Sequence, residues 1–235
     1  MTAAKRVAII QSNYMPWKGY FEIAARVDEF ILYDEVQFTK RDWRNRNRIK
    51  TAAGEAWLTV PVRSKSRFEQ PIEAVEIAEP GWAEQHWQTI RHAYRRAPCF
   101  AEASRLLEPL YAAAAGETRL SVVNRLFLTG IAEALGIATP FVPSNRYASA
   151  GRKSERLIDL CLAAGAGIYL SGPAARSYLD EAAFAAAGIA VEWMDYGPYP
   201  EYPQLHGPFD HYVSIVDPLV HCGYASATWF CSGAS

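Results

Sequence analysis

Short apolar runs that end in polar turns alternate with helical spacing along much of this chain. The run at 7–10 is followed at once by Gln11, and the run at 30–33 ends at Asp34. Between them, apolar residues at 21–27 have helical spacing downstream of Pro16, and proline is favoured at the start of a helix. Because strand, loop, helix and strand follow one another in this order, the pattern predicts an α/β fold.

The rest of the chain continues this alternation around a long helical stretch. From residue 82 to about residue 135 the apolar spacing is helical, which predicts three helices that end at Gly136. Further strands are expected at 57–62, 141–142, 168–170 and 189–193, with a short strand or an extended arm at 72–77. Further helices are expected at 154–163, at 178–187 and around 213–220. We therefore expect one α/β domain over residues 1–235, with a helical insertion at 82–136 and an irregular tail at 224–235.

Composition narrows the class of protein. Half of the 235 residues are apolar and 21% are charged, so a sizeable core is expected. The 24 basic residues balance 25 acidic ones, which argues against a dedicated nucleic-acid binder. No apolar run approaches the roughly 18 residues that span a bilayer, and no signal-peptide pattern is seen, so a cytoplasmic protein without a membrane span is expected. The four cysteines form no CxxC pair, which predicts reduced thiols.

The first candidate binding segment is the polar loop that follows the first strand. Ligands of open α/β sheets sit beyond the carboxyl ends of the strands, where helix N-termini offer free backbone N–H groups. The alternative is an ordinary connection whose rings pack on the core, but so many functional side chains in ten residues favour a binding role. The candidate binding residues here are Gln11, Asn13, Tyr14, Trp17, Lys18 and Tyr20.

The second candidate segment, 34–50, contains six basic residues among amides and aromatic rings. Arginine forks and amide pairs suit carboxylates, phosphates and sugar hydroxyls. Two alternatives remain, namely RNA bases stacked on the aromatic rings and a solvated arm with ordinary surface charges; the net charge of −1 weakens the first. The candidate catalytic residues are Asp34, Lys40 and Arg46. The candidate binding residues are Gln37, Trp43, Asn45 and Asn47.

A third loop begins at Ser171 and Gly172, after the strand at 168–170. A serine in such a loop is more often a helix cap than a nucleophile, and no G-x-S-x-G elbow is present, so both residues are candidates for binding only. The five histidines offer neither HxxxH nor HExxH, and no metal site is predicted. Because parallel strands expose their carboxyl ends on one rim, we expect the three candidate segments to converge on a single pocket, with the arm 40–48 folded over it and Trp17, Tyr20 and Trp43 as its walls.

Several short strings resemble the WbqC-like family over nearly the whole chain, to about residue 223. They are Gln11 with Tyr20-Phe21, Asp34 with Gln37-Phe38, the run 43–49, the run 57–62, the run 169–172, and Tyr202-Pro203-Gln204. The resemblance adds Gln204 to the candidate binding residues. In these relatives a histidine often precedes the glutamine and a proline follows it, where this chain has Ile10 and Ser12.

A more distant similarity is to the HIGH-type nucleotidylyltransferases, which include pantothenate synthetase. There a first strand leads into a loop whose two histidines bind nucleotide phosphates. Here Trp17 and Tyr20 stand in place of those histidines, while Gly19 and the strand, loop and helix are kept. The similarity implies a mainly parallel, Rossmann-like sheet, and it does not support adenylyl transfer by the usual route.

The WbqC-like resemblance implies a role among bacterial genes for surface polysaccharides, including O-antigen, and for natural products. With the polar loops and phosphate-suited arginines, it predicts a group transferase or an amide-forming ligase acting on an amino acid, an acyl group or an amino sugar. Asp34 is expected to orient an amine or act as a base, and the arm to hold phosphate or carboxylate. The alternative is a non-catalytic protein that binds nucleotides or sugars. The expected partner is a small molecule, with a nucleotide or nucleotide-linked sugar among the candidates, and no cofactor is assigned.

Overall fold

The computed structural model describes residues 3–67 and 69–231, and its strands form one large and one small sheet. In chain order they are β1 (Arg6–Ile10), β2 (Glu29–Leu32), β3 (Arg46–Thr51), β4 (Gly54–Thr59), β5 (Phe141–Pro143), β6 (Ile168–Ser171) and β7 (Ala190–Trp193). The large sheet has the order β5-β2-β1-β6-β7, and every neighbouring pair in it is parallel. The second sheet is the antiparallel hairpin β3-β4. The α/β prediction is confirmed, and the fold is Rossmann-like.

Strand β1 lies at the centre of the parallel sheet. Val7, Ala8 and Ile9 are all buried, as expected for a strand with a covered face on either side. β1 pairs with β2 on one side and with β6 on the other. The strands that follow β1 in the chain, β2 and β5, lie on one side of it, and the later strands β6 and β7 lie on its other side. The strand order therefore reverses between β1 and β6, the position at which open α/β sheets bind ligands.

Helices cover both faces of the sheet. They are α1 (Lys18–Ala25), α2 (Trp82–Tyr94), α3 (Phe100–Ala114), α4 (Leu120–Ala134), α5 (Ser154–Ala163), α6 (Glu181–Ala186), α7 (Val216–Cys222) and α8 (Thr228–Cys231). On one face, Leu160 of α5 and Phe184 of α6 pack against Ile9 in the smaller apolar cluster. On the other face, α1 to α4 and α7 contribute to the main core, which includes Phe30 and Leu170. No helix in the described part of the chain is long and apolar enough to cross a membrane.

The three helices predicted from the spacing after residue 82 are α2, α3 and α4. α4 is followed at once by Leu135 and Gly136, and Gly136 has a φ of 75°, the left-handed conformation that favours glycine after a helix. Cys99, Cys161 and Cys222 are free, as predicted, and the side chain of Cys231 lies outside the described ones. Burial raises the pKa of the Cys161 thiol to about 12, so this thiol stays protonated and unreactive at neutral pH.

Three predicted segments differ from the structure. The arm contains the first strand of the β3-β4 hairpin, in which the side chains of Asn47 and Ile49, two residues apart, are both buried. Because one of these buried side chains is polar, the apolar pattern of the sequence does not indicate a strand here. Segment 72–77 contains a 3-10 helix, Ile72–Ala74, in place of a strand. The tail predicted as irregular forms a 3-10 helix at Gly223–Ala227 followed by α8, and residues 232–235 lie outside the described part.

A buried histidine connects the first loop to the helices. His86 accepts a hydrogen bond from the Tyr14 hydroxyl at Nδ1 (2.8 Å), and its Nε2 donates to the Thr59 carbonyl (3.2 Å). Tyr14 lies 2.7 Å from the hydroxyl of Tyr111, which completes a chain of three polar side chains in the core. Burial lowers the pKa of His86 to about 4, so the ring is neutral in the folded protein at neutral pH.

We predict that His86 makes the protein sensitive to acid. An unfolded histidine binds a proton near pH 6.5, whereas folded His86 does so only near 4, so stability is lost as the pH falls between these values. Between about pH 7 and about pH 4.5 the loss should be about 2 to 3 kcal/mol. Urea unfolding of His86→Gln at both pH values should show an acid-induced loss that is smaller by this amount. The exposed residue His92 on the same helix supplies the control, since His92→Gln should keep the wild-type difference.

Candidate functional site

A large cavity opens beyond the carboxyl ends of β2 and β5, and we call it the carboxylate cavity. Its volume is about 530 Å³. It is lined by Leu32, Asp34, Glu73, Ala74, Arg119, Ser121, Val122, Arg125, Pro143, Ser144 and Asn145. Leu32 and Pro143 are paired at the ends of their strands, so the cavity lies at the rim where α/β proteins hold ligands.

Asp34 is the buried ionisable group of this cavity. Only 6% of the residue is exposed, and its Oδ1 accepts the Ser12 N–H at 2.8 Å. Burial raises the pKa of Asp34, although hydrogen bonds from Ser12 and the positive charge of Arg44 oppose the rise. The negative charge of nearby Glu73 raises this pKa further. A carboxylate with increased proton affinity in a cavity is suited to accepting a proton from a substrate.

Two arginines give the carboxylate cavity its positive charge. Arg119 precedes α4, donates to the Ala74 carbonyl at 2.8 Å and lies 4.0 Å from Glu76. Arg125, one turn into α4, is exposed and makes no hydrogen bond or ion pair within the described residues. Its guanidinium is therefore available to an anionic ligand, for which arginine provides a planar fork of donors.

A second cavity lies at the reversal of strand order, and we call it the switch-point cavity. Its volume is about 480 Å³. It is lined by Ile9, Gln11, Tyr33, Val36, Lys153, Ser154, Leu157, Tyr169 and Tyr178. These residues come from β1 and the residue after it, from the segment after β2, from β6, from the residue after the 3-10 helix Pro173–Ser177, and from the start of α5.

The segment 33–36 separates the two cavities. Asp34 lines the carboxylate cavity, whereas Tyr33 and Val36 line the switch-point cavity. Glu35 connects the walls of both, because it accepts the hydroxyl of Ser144 at 2.8 Å and pairs with Arg156 of α5 at 2.8 Å. The two cavities thus share one strip of backbone that is anchored on both sides.

Two smaller cavities adjoin the hairpin. The aromatic cavity, about 230 Å³, is lined by Asn13, Pro16, Trp17, Trp43, Asn47 and Tyr212. The hairpin cavity, about 280 Å³, is lined by Phe38, Lys40, Arg41, Asn45, Arg46, Thr59, Val60, Pro61, Val62 and Ser64. Trp43 and Tyr212 are 40% and 65% exposed, so the aromatic cavity opens onto the surface.

The structure does not bring the predicted site residues into one pocket. Gln11 lines the switch-point cavity, Asp34 the carboxylate cavity, Asn13 the aromatic cavity, and Lys40 and Arg46 the hairpin cavity. The loops do leave the same rim, but their side chains turn to different sides of the hairpin and of segment 33–36. Lys40 and Arg46 of the arm therefore do not share a cavity with Asp34 as predicted, although the charge of Arg44 is close enough to lower the pKa of Asp34.

Three arginines of the arm, Arg44, Arg46 and Arg48, are engaged within the protein. Arg46 donates to the Arg41 carbonyl and lies over the ring of Trp57 at 4.0 Å. Arg44 donates to the Gln11 carbonyl and to the Asn13 side chain, so it holds the first loop in place. Arg48 pairs with Glu55, and Asp210 lies 3.9 Å away.

Four predicted binding residues are buried supports of the first loop and the hairpin. Tyr14 is fully buried in the core. The hydroxyl of Tyr20 donates to the Gln11 carbonyl at 3.0 Å. Asn45 donates to the Val60 carbonyl at 2.8 Å, and Asn47 to the Met15 carbonyl at 2.8 Å. The carbonyl of Met15 also accepts the Ser214 hydroxyl at 2.8 Å, which ties the C-terminal segment to the same loop.

Lys18 and Gln204 belong to a polar network behind the aromatic cavity. Lys18 is 1% exposed, and burial lowers its pKa to about 8. Its Nζ lies 2.9 Å from Nδ1 of His211. Gln204 donates to the buried carboxylate of Asp217 at 2.9 Å and accepts the Lys50 ammonium at 2.6 Å. These contacts give both predicted residues a structural role.

Three other predicted residues line none of these cavities. Ser171 is the last residue of β6 and is buried, and its hydroxyl lies 3.4 Å from that of Tyr169. Gly172 precedes the 3-10 helix Pro173–Ser177, and Gln37 forms an isolated bridge with Pro71. Among the described residues, no group of three or more histidines, cysteines or carboxylates is arranged to hold a metal ion.

The cations that line the carboxylate and switch-point cavities, namely Arg119, Arg125 and Lys153, were not among the residues predicted from the sequence. The arginines flank the start of α4, and spacing alone does not tell which side of that helix faces the sheet rim. Lys153 stands immediately before α5, at the carboxyl end of the connection from β5. The rule that helix starts and strand ends share a rim would have identified it.

The fold and these cavities define a Rossmann-like α/β protein with ligand-sized cavities at the carboxyl ends of its strands. The sequence matches the model of the WbqC-like protein family over residues 11–228, and the chain belongs to this family. It is 50% identical over 219 residues to a protein of Mycobacterium tuberculosis (strain ATCC 25618 / H37Rv) named "Uncharacterized protein Rv1507c". The match covers 93% of this chain and 94% of that protein. No solved structure matches the chain.

We predict that Asn47 stabilises the fold and does not act on a ligand. Asn47→Ala removes the buried donor to Met15 and the acceptor of the Arg48 N–H at 2.8 Å. Unsatisfied buried groups of this kind cost about 2 to 3 kcal/mol in the free energy of unfolding, measurable by urea denaturation. Asn145→Ala is the matched control, because Asn145 is exposed and its loss should cost no more than about 0.5 kcal/mol. Equal losses in the two variants would contradict this role.

Proposed function

We propose that the protein is a group transferase or an amide-forming ligase of surface-polysaccharide or secondary-metabolite biosynthesis, acting on an amino acid, an acyl group or an amino sugar. The carboxylate cavity is its acceptor site. The observation that supports this proposal is the presence of Asp34, a buried carboxyl group with a raised pKa, in the same cavity as Arg119 and Arg125. Membership of the WbqC-like family supports the biosynthetic setting, as the sequence resemblance implies.

The charges of the cavity suit a ligand that carries both an amine and an anion. Arg125 and Arg119 attract a phosphate or carboxylate, and the first turn of α4, with Ser121 and Val122 on the wall, favours the same sign. Asp34 and Glu73 attract an ammonium group. Amino acids and amino-sugar phosphates carry both groups, whereas neutral sugars carry neither.

The chemistry follows from the environment of Asp34. An amine attacks an acyl or glycosyl donor only as the free base, so a group that takes up its proton accelerates the transfer. One oxygen of Asp34 is held by the Ser12 N–H, which fixes the carboxylate without using its remaining capacity to accept a proton. Positioning by the arginines and proton transfer to Asp34 together would supply the catalysis.

A second candidate function is the non-catalytic binding of sugars. The aromatic cavity favours it, because Trp17, Trp43 and Tyr212 form walls of flat apolar rings and no acidic or basic side chain lines the cavity. Such walls suit sugar rings without providing a group for proton transfer. The two candidates differ in whether binding is followed by a new product.

We expect the acceptor site to bind a phosphorylated amino sugar. A thermal-shift titration would compare glucosamine 6-phosphate with glucose 6-phosphate and glucosamine, each of which lacks one of the two charged groups, and with a panel of amino acids. A ligand at 100 times its dissociation constant stabilises the protein by about 2.7 kcal/mol. Arg125→Gln should remove this stabilisation at unchanged stability without ligand, because Arg125 is exposed. Arg95→Gln, at an exposed position after α2, is the control.

We also expect Asp34→Asn to separate binding from turnover. The amide oxygen still accepts the Ser12 N–H and Glu73 still attracts the ammonium group, so ligand stabilisation should be weakened but retained, whereas proton transfer to residue 34 is lost. Product formation from the stabilising amine, with ATP and a carboxylic acid or with a nucleotide-sugar donor, is measured by mass spectrometry. A stabilising amine that yields no product with any donor supports the binding protein. Stabilisation that survives Arg125→Gln, or its absence for every amine tested, contradicts the acceptor site.

A further inference from the structure

The switch-point cavity has the position, size and lining of a nucleotide site. It lies at the carboxyl ends of β1 and β6, where the order of the strands reverses, and crevices at this position bind ligands in open α/β sheets. Its volume of 480 Å³ falls within the range of about 300 to 1,000 Å³ that small-molecule sites occupy. Most of its wall is apolar or aromatic, and few polar groups point to it.

Two of those polar side chains have no partner in the described part of the chain. The Lys153 ammonium and the Gln11 amide make no hydrogen bond or ion pair within the described residues. By contrast, the Ser154 hydroxyl accepts the Asp180 N–H at 3.1 Å and fixes the start of α5 beside the cavity. The cavity thus combines one free cation, one free amide and the first turn of a ten-residue helix, all of which attract a phosphate or its ester oxygens.

The three tyrosines of the cavity provide flat ring surfaces that differ in their exposure to solvent. Tyr169 is buried and stacks on Phe184 with a centroid distance of 5.2 Å, so it forms a rigid floor. Tyr33 is half-buried, and Arg156 lies over its ring at 5.8 Å. Tyr178 is 72% exposed, and its ring contacts no other aromatic ring among the described residues. An exposed ring at the mouth of a cavity is suited to stacking on a nucleobase.

The start of α1, where Rossmann-like folds often hold phosphate, is closed in this protein. The ring of Trp17 occupies the space beside Gly19, so close that a Cβ at residue 19 would lie 2.3 Å from it. Lys18 is buried and directed to His211. The start of α5, which lies at the carboxyl ends of the strands beside β1, is therefore the helix start that we expect to bind a phosphate.

We propose that the switch-point cavity binds a nucleotide, with the phosphate at Lys153 and the start of α5 and the base against Tyr178. The binding itself does not depend on the acceptor site. The further role of this nucleotide as the leaving part of an activated donor rests on the proposed function, and segment 33–36 places the two sites side by side.

Isothermal titration calorimetry of the full chain with ADP, UDP, GDP and CDP tests the site, with adenosine, uridine and inorganic phosphate as partial ligands. Tyr178→Ala should weaken binding of the tightest diphosphate by about tenfold or more, since base stacking on an aromatic ring is of that strength. Tyr178→Phe should restore it. Lys153→Gln should weaken the diphosphate by about tenfold or more and leave the nucleoside unaffected. Lys65→Gln, an exposed lysine elsewhere, should leave binding unchanged.

The same titrations separate this inference from the proposed function. Arg125 and Asp34 line the other cavity, so Arg125→Gln and Asp34→Asn should leave the affinity for nucleotides unchanged. Nucleotide binding with this pattern, but without any response to amines, supports the nucleotide site and removes only the acceptor site. No binding by any of the four diphosphates at millimolar concentration overturns the nucleotide site. The nucleotide site is also overturned if Tyr178→Ala and Lys153→Gln leave the affinity unchanged. Phosphate alone binding as tightly as the diphosphates would overturn it as well.

Discussion

The arrangement of this protein depends on satisfying the polar backbone of the buried loop that follows β1. Ser12 and Met15 are buried, so their backbone groups cannot bond to bulk water and need partners inside the protein. Each partner comes from a different element: Asp34 follows β2, Asn47 lies in the hairpin, and Ser214 precedes α7. One loop therefore fixes the sheet, the hairpin and the C-terminal segment relative to one another. A rotation of the hairpin away from the sheet would break the bond from Asn47 to the Met15 carbonyl and leave the buried Asn47 amide without this partner.

The same constraint explains why the carboxylate cavity is suited to proton transfer. Asp34 stays in a poorly hydrated position because its carboxylate accepts the Ser12 N–H, and the resulting burial raises its pKa. A more exposed aspartate would have a lower pKa and would be a weaker base. Asp34 thus has a structural role through its bond to Ser12, while its burial, against the effect of that bond, gives it the raised pKa. Arg125, in contrast, makes no hydrogen bond or ion pair with residues 3–67 or 69–231 and is available to a ligand.

Much of the sheet could be predicted from sequence, because apolar runs that end in polar turns mark parallel strands, and β1 lies at the predicted centre. The hairpin was partly hidden, since Asn47 occupies an inward position where an apolar residue would have completed the alternation. The idea of a single pocket was wrong for a geometric reason: loops that share a rim can turn their side chains to opposite sides. The cavity arginines were missed because the rotation of α4 about its axis depends on tertiary packing, which the local pattern does not contain.

The strip of backbone between the two large cavities sets a limit on how the chain can change in length. Tyr33 and Asp34 are neighbours that belong to different cavities, so the side of each side chain depends on the count of residues after β2. A deletion of one residue there would turn the acid into the tyrosine-lined space and the ring toward the arginines, with every strand still intact. Homologues that keep both cavities should therefore rarely carry insertions or deletions in this strip.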